Sequence, residues 1–277
     1  MRRLEKAFAK RREAGGKVLV AYLCMGDPTH DESIELALLA AEAGADVLEL
    51  GVPFGDPTAD GPQIARASER ALAKGGGLAA TLRAAAAIRA RSSVPLVLFG
   101  YYNPIFVRGE ARVVLEASQA GVDALLVVDL PIDASAPLRT AAAEHGIRVI
   151  PLLAPTSSAE RVRAVRAVHA EVPCGFVYYV SLTGVTGASA APLVEASQAA
   201  EALRTSTGAP VVVGFGIDSP EKARIAALHA DGVVVGSAIV KRIEEGRSAG
   251  ERASAVTSLV GSLRHALDDV GNGRLGE

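Results

Sequence analysis

The stretch Ala45-Asp46-Val47-Leu48-Glu49-Leu50-Gly51-Val52-Pro53-Phe54-Gly55-Asp56-Pro57-Thr58-Ala59-Asp60-Gly61-Pro62 holds one whole unit of this chain's organisation. A short apolar run ends in a carboxylate, and a loop stiffened by glycine and proline follows, with further acids in it. The same unit recurs outward in both directions. Apolar, β-type runs at 17–24, 47–50, 95–99, 123–128, 149–153, 175–181, 210–214 and 232–236 alternate with alanine-rich stretches of helical spacing. Eight such runs are the number that a (β/α)8 barrel requires. Runs such as Ala124-Leu125-Leu126-Val127-Val128 and Val211-Val212-Val213 are apolar almost throughout, as expected when helices cover a parallel sheet. The rival, an open doubly wound sheet, would place a glycine-rich loop after an early strand, whereas here such loops come late. The reading is therefore α/β: a single (β/α)8 TIM barrel over residues 1–270 with an extra N-terminal helix, and a frayed tail over 271–277.

Composition bounds the function. The 277 residues are 49% hydrophobic with no tryptophan, so alanine, valine and leucine must fill the core, and a net charge of -2 gives no reason to expect nucleic acid as a partner. Cys24 and Cys174 lie in apolar runs, which suits buried thiols in a reducing compartment. No apolar segment follows the basic start Met1-Arg2-Arg3-Leu4, so neither a secretory signal nor a membrane span is expected, and a cytoplasmic location is. The segment 2–14 places Leu4, Ala7 and Phe8 on one side of a charged helix and reads as a lid packed on the domain.

In such a barrel the chemistry gathers at the C-terminal ends of the strands, and Glu49, Asp60, Asn103, Asp129 and Tyr178 all fall there. Each alone has a plainer role, as an ion pair, a turn cap or core; together on one rim they suggest a site. A carboxyl buried at a strand end beside another in a polar loop can divide acid and base work between them. Gly214-Phe215-Gly216 follows the seventh run, with Ser219 and Pro220 suited to cap the next helix, and Gly236-Ser237 follows the eighth, where a helix N-terminus favours phosphate. Ser181 to Ala190 is small and polar and reads as a mobile lid that closes Thr186 toward the acids, or as an ordinary connection. The five histidines are scattered and neither cysteine has a closely spaced partner, so no metal site is expected. Tyr22, Phe54, Tyr101, Tyr102 and Phe215 offer an apolar slot, although aromatics there also serve as plain packing. The features describe a phosphorylated substrate with an apolar body.

Over nearly its whole length the chain resembles the tryptophan synthase alpha chain family, through Leu48-Glu49-Leu50-Gly51-Val52-Pro53-Phe54, Asp56 to Pro62, Tyr101-Tyr102-Asn103-Pro104-Ile105-Phe106, Val128-Asp129-Leu130-Pro131, Ser181 to Gly187 and Gly214-Phe215-Gly216. The resemblance implies a lyase that cleaves indole-3-glycerol phosphate to indole and glyceraldehyde 3-phosphate. It implies no cofactor on this chain, and a pyridoxal-phosphate beta chain as partner in an alpha2beta2 complex. By position, Glu49 is implied as general acid/base and Asp60 as the group that stabilises charge on the indole nitrogen, with Tyr178 and Thr186 in support. Gly187, Gly216, Gly236 and Ser237 match phosphate contacts. Tyr22, Phe99, Tyr101, Leu126, Leu153 and Phe215 match the indole pocket, and Pro53, Asp56, Asn103 and Pro131 the face toward the partner. Gly55, Ala65, Gly100 and Cys24-Met25 depart from the family pattern and spare both acids. The alternatives are a stand-alone indole-releasing lyase, a weakly catalytic activator of the beta enzyme, and another phosphosugar barrel.

Overall fold

A computed structural model describes residues 2–180, 191–214 and 216–271. Its strands are β1 Val18–Cys24, β2 Val47–Gly51, β3 Leu96–Gly100, β4 Ala124–Val127, β5 Arg148–Val149, β6 Leu152–Leu153, β7 Val177–Val180, β8 Val211–Gly214 and β9 Gly232–Val235. All neighbours are parallel, in the order β5-β4-β3-β2-β1-β9-β8-β7-β6. The two ends of that order are halves of one stave. Ile150 donates its N–H to Leu125 O at 2.8 Å on one side, and Pro151 O accepts from Tyr178 N at 2.9 Å on the other, so the sheet closes on itself. The fifth apolar run is thus one of eight staves, interrupted where Pro151 has no N–H to give to the ladder.

Three aspartates hold the N-terminal rim. Asp46, Asp123 and Asp231 stand at the entries to β2, β4 and β9, and the Oδ2 of each accepts an N–H from the start of the preceding stave: Leu19 at 2.9 Å, Leu96 at 2.9 Å and Val211 at 2.8 Å. The same aspartates donate their own N–H groups back to Leu19, Leu96 and Val211 carbonyls. These carboxylates are committed to architecture, which leaves the opposite rim for chemistry.

Because strands alternate, two apolar layers form. Leu19, Leu23, Leu48, Leu98, Leu125, Val213 and Val235 face the surrounding helices. Val18, Val20, Val47, Val97, Ala124, Leu126, Ile150, Phe176, Tyr178, Val212 and Val234 fill the barrel's interior. The helix Arg3–Glu13 does pack on the domain, but at the floor rather than over the mouth: Leu4 and Phe8 enter the interior cluster, and the Phe8 ring lies 5.5 Å from that of Phe176, which directly precedes β7 and so lies below Tyr178.

Two helices lie between β2 and β3. The first, Pro62–Leu72, starts directly after the Asp60 loop and crosses the mouth, its Ala67 and Ala71 packed with Tyr22 and Cys24 of β1 and with Val240 of the helix Ser237–Glu245. Both cysteines are buried free thiols.

Candidate active site

Glu49 lies on β2 between the inward-facing positions of Val47 and Gly51, in register with Tyr22 on one neighbour and Val97 on the other. Its exposure is 0%, and both carboxyl oxygens lack a hydrogen-bond partner among the described residues. Taking a charge out of water without a partner is costly, so burial pushes this carboxyl up to about 8. Asp60 is half-buried at the loop's end, where burial pushes it up to about 6 against the opposing pull of a hydrogen bond from the Tyr101 hydroxyl. That hydroxyl also accepts the Ala59 N–H at 2.9 Å, and the Tyr101 ring stacks on Phe54 at 5.0 Å, so the acid's loop is pinned by the residue that follows β3.

The walls are aromatic. Tyr22 meets Phe99 edge-on at 5.2 Å, and Ile64, from the first turn of the helix Pro62–Leu72, packs against that cluster. Tyr178 projects inward from β7. Room for the two tyrosines comes from glycine: a Cβ on Gly51 would fall 2.3 Å from the Tyr22 hydroxyl, and one on Gly214 2.3 Å from that of Tyr178. Burial above all, and then the negative field of nearby groups that include Glu49 and Asp60, raises both phenols well above their ordinary range. They remain protonated donors beside the acids.

The glycine loops lie on the same rim. Ser219 accepts the Lys222 N–H at 3.3 Å and Pro220 opens the helix Pro220–Ala227, as its sequence foretells. Gly216 has a φ of 72°, a backbone form that favours glycine. Gly236 precedes the helix Ser237–Glu245 and sits so close to the Tyr22 ring that a Cβ would approach it to 3.3 Å. A helix start directed at the aromatic chamber can offer N–H groups to a phosphate.

Of the residues singled out from sequence, Glu49, Asp60, Tyr22, Phe99, Tyr101, Leu126, Tyr178, Gly236 and Ser237 come together around this chamber or in the interior beneath it. Leu153 does not. It is buried in the layer between sheet and helices, and strand alternation turns Leu152 inward in its place. Asp56, Asn103 and Pro131 are exposed, but Pro53 is buried beneath Gly76, so it shapes its loop from below. Asp129 fixes a turn, its Oδ1 accepting the Tyr102 N–H at 2.7 Å. Thr186, Gly187 and Phe215 lie outside the described residues. Ile64 carries no sequence signal, since nothing in a helical spacing says that the helix will cross the mouth.

The sequence profile described as tryptophan synthase alpha chain matches residues 8–268. The chain belongs to the tryptophan synthase alpha chain family. The tryptophan synthase alpha chain of Geobacter sulfurreducens is 47% identical over 267 residues, which cover 96% of this chain and 99% of that one. The crystal structure of tryptophan synthase subunit alpha from Legionella pneumophila superimposes with a TM-score of 0.88 at 35% identity, covering 97% of this chain and 99% of that one. A chain of Mycobacterium tuberculosis tryptophan synthase does so at 0.83 and 35%, covering 96% and 98%. As a tryptophan synthase alpha chain the protein is a carbon–carbon lyase of tryptophan biosynthesis that acts on indole-3-glycerol phosphate, and its class implies a beta-chain partner. No described helix is long and apolar enough to cross a membrane.

Proposed function

We propose that Glu49 and Asp60 divide the retro-aldol cleavage between them. The observation that carries this is their separation in acidity: Glu49, buried and without a partner among the described residues, is neutral up to about pH 8, while Asp60 ionises near 6. Neutral Glu49 protonates the indole C3, and the positive charge that develops on the ring nitrogen is met by the Asp60 carboxylate. Glu49, now a carboxylate, takes the proton of the adjacent glycerol hydroxyl. The electron pair of that O–H bond becomes the carbonyl π bond of glyceraldehyde 3-phosphate, the C–C bond breaks, and its pair returns to the ring. One carboxyl gives and regains one proton, so no net proton leaves the site.

Tyr178 and Thr186 support the two acids in this reading. Tyr22, Phe99, Tyr101, Leu126, Ile64, Leu152 and Phe215 hold the indole, while Gly187, Gly216, Gly236 and Ser237 hold the phosphate. Residues 1–270 act as one catalytic unit in the cytoplasm, with no cofactor of their own. Pyridoxal phosphate belongs to the beta chain, bound in an alpha2beta2 complex through Asp56, Asn103 and Pro131. Support for that face comes from the exposed apolar pair beside Asn103, Phe106 at 66% and Val107 at 77%.

The test is indole release from indole-3-glycerol phosphate by the purified chain, alone and with a cognate beta chain. Slow release that the partner accelerates is expected. Release indifferent to the partner identifies a stand-alone lyase instead, and no release from folded protein in either condition removes the acid–base reading.

A further inference from the structure

Behind the mouth, Asp27, Arg70, Glu244 and Arg66 form one chain of ion pairs that the reaction itself does not use. Asp27 follows β1 and is 2% exposed, and both of its oxygens are taken by Arg70, from Nε and from Nη2, each at 2.8 Å. The remaining arm of Arg70, Nη1, reaches Glu244 Oε1 at 2.9 Å. Arg66 holds the same carboxylate through Nε and Nη2, both at 2.8 Å. Three separate pieces of chain meet here. Arg66 and Arg70 belong to the helix that begins directly after Asp60 and brings Ile64 to the pocket, Glu244 to the helix that begins at Ser237, and Asp27 to the turn after β1.

The apolar contact between these pieces is made by small side chains. Ala67 and Ala71 face Val240 and Cys24, and a Cβ on Gly26 would already stand 3.2 Å from that of Ala71. Alanine surfaces permit close approach but let one helix slide along another, whereas a planar guanidinium with a bidentate partner fixes direction as well as distance. We infer that Arg70 is a positioning residue, which sets the span between the Asp60 loop and the helix start at Ser237 and so matches the site to a substrate that must reach both at once. The inference rests on the assignment of phosphate to that helix start.

A clamp on a span has a distinctive consequence. Fragments that touch one end bind normally, and only the molecule that bridges both ends suffers, because small misplacements of a bridging substrate cost far more in rate than in fragment affinity. Arg70→Lys keeps a positive charge beside the buried Asp27, so that carboxylate is not abandoned, but loses the fork that joins it to Glu244. In the full-length chain it is expected to lower kcat/KM for indole-3-glycerol phosphate about tenfold, while inhibition by inorganic phosphate and by indole stays within about twofold of the parent. Glu244→Gln leaves the Asp27–Arg70 pair whole and is expected to lower kcat/KM in the same direction, by about threefold; it carries the test if the lysine variant does not fold. Values of kcat/KM within twofold of the parent in both variants overturn the inference, as does a loss matched by an equal loss of phosphate affinity. Ser237→Asp separates the underlying assignment: if it leaves phosphate inhibition unchanged, the phosphate reading fails and the clamp fails with it.

Discussion

At Glu49 the barrel interior sets a carboxyl among apolar side chains with no partner for either oxygen among the described residues, and two opposite consequences follow from that one fact. The group is a competent acid at neutral pH, and it is a burden on the fold. Its pKa is raised from 4.5 to about 8, so between those values the folded chain holds a proton that the unfolded chain has released. Stability is untouched by Glu49 below about pH 4.5, falls as pH rises toward 8, and is then lower by at most roughly 5 kcal/mol, at about 1.4 kcal/mol per pH unit. Glu49→Gln removes this penalty. Urea unfolding at pH 8.5 should find the variant more stable than the parent by a few kcal/mol, with the gain gone by pH 4, while turnover falls by roughly 10²–10⁴. Equal pH dependence in both proteins would show that Glu49 is not a buried neutral acid. The parent's kcat/KM should in turn be greatest between about pH 6 and 8, where Asp60 is ionised and Glu49 is not.

At the scale of strands and helices, the sequence discloses what is buried more readily than where. Staves were legible because runs apolar on both faces have few other uses, and Glu49 was legible because an acid interrupts such a run. The same property hid the facing of Leu152 and Leu153: where both faces are apolar, no alternation of hydrophobicity remains to tell inside from outside. The break at Pro151 follows from a missing N–H, which only the pairing of both flanks makes visible. Likewise Leu4 and Phe8 mark a buried face on the first helix, but its place at the floor depends on Phe176, far along the chain. That placement makes a prediction. Phe8→Ala should cost about 3–5 kcal/mol of stability by opening a cavity under the interior, yet leave kcat for indole release within about twofold at 20 °C, since the site is at the other end. A large loss of kcat in folded protein would contradict the floor position.

For the whole molecule, the two ends of the barrel carry different kinds of carboxylate. Asp46, Asp123 and Asp231 are each held by a backbone N–H of the neighbouring stave on one oxygen and by an arginine on the other, and Glu49 and Asp60 at the mouth are not. Beside that mouth, Tyr101 binds the Asp60 loop through Ala59, and the next residue opens the helix Tyr102–Arg108, which exposes Asn103, Phe106 and Val107. A partner seated on this helix therefore presses on an element continuous with the one that holds the acid. An exposed aromatic anchor of this kind is worth about 1–4 kcal/mol in a protein interface. Phe106→Glu should weaken binding of the beta chain at least tenfold by calorimetry and remove most of its acceleration at sub-saturating partner, while cleavage by the isolated chain stays within about twofold. Because Tyr101 rather than Phe106 touches the acid's loop, saturating partner should restore full acceleration to the variant. Acceleration still absent at saturation would mean that the Phe106 ring transmits the signal itself, and unchanged affinity would move the docking face elsewhere on the barrel.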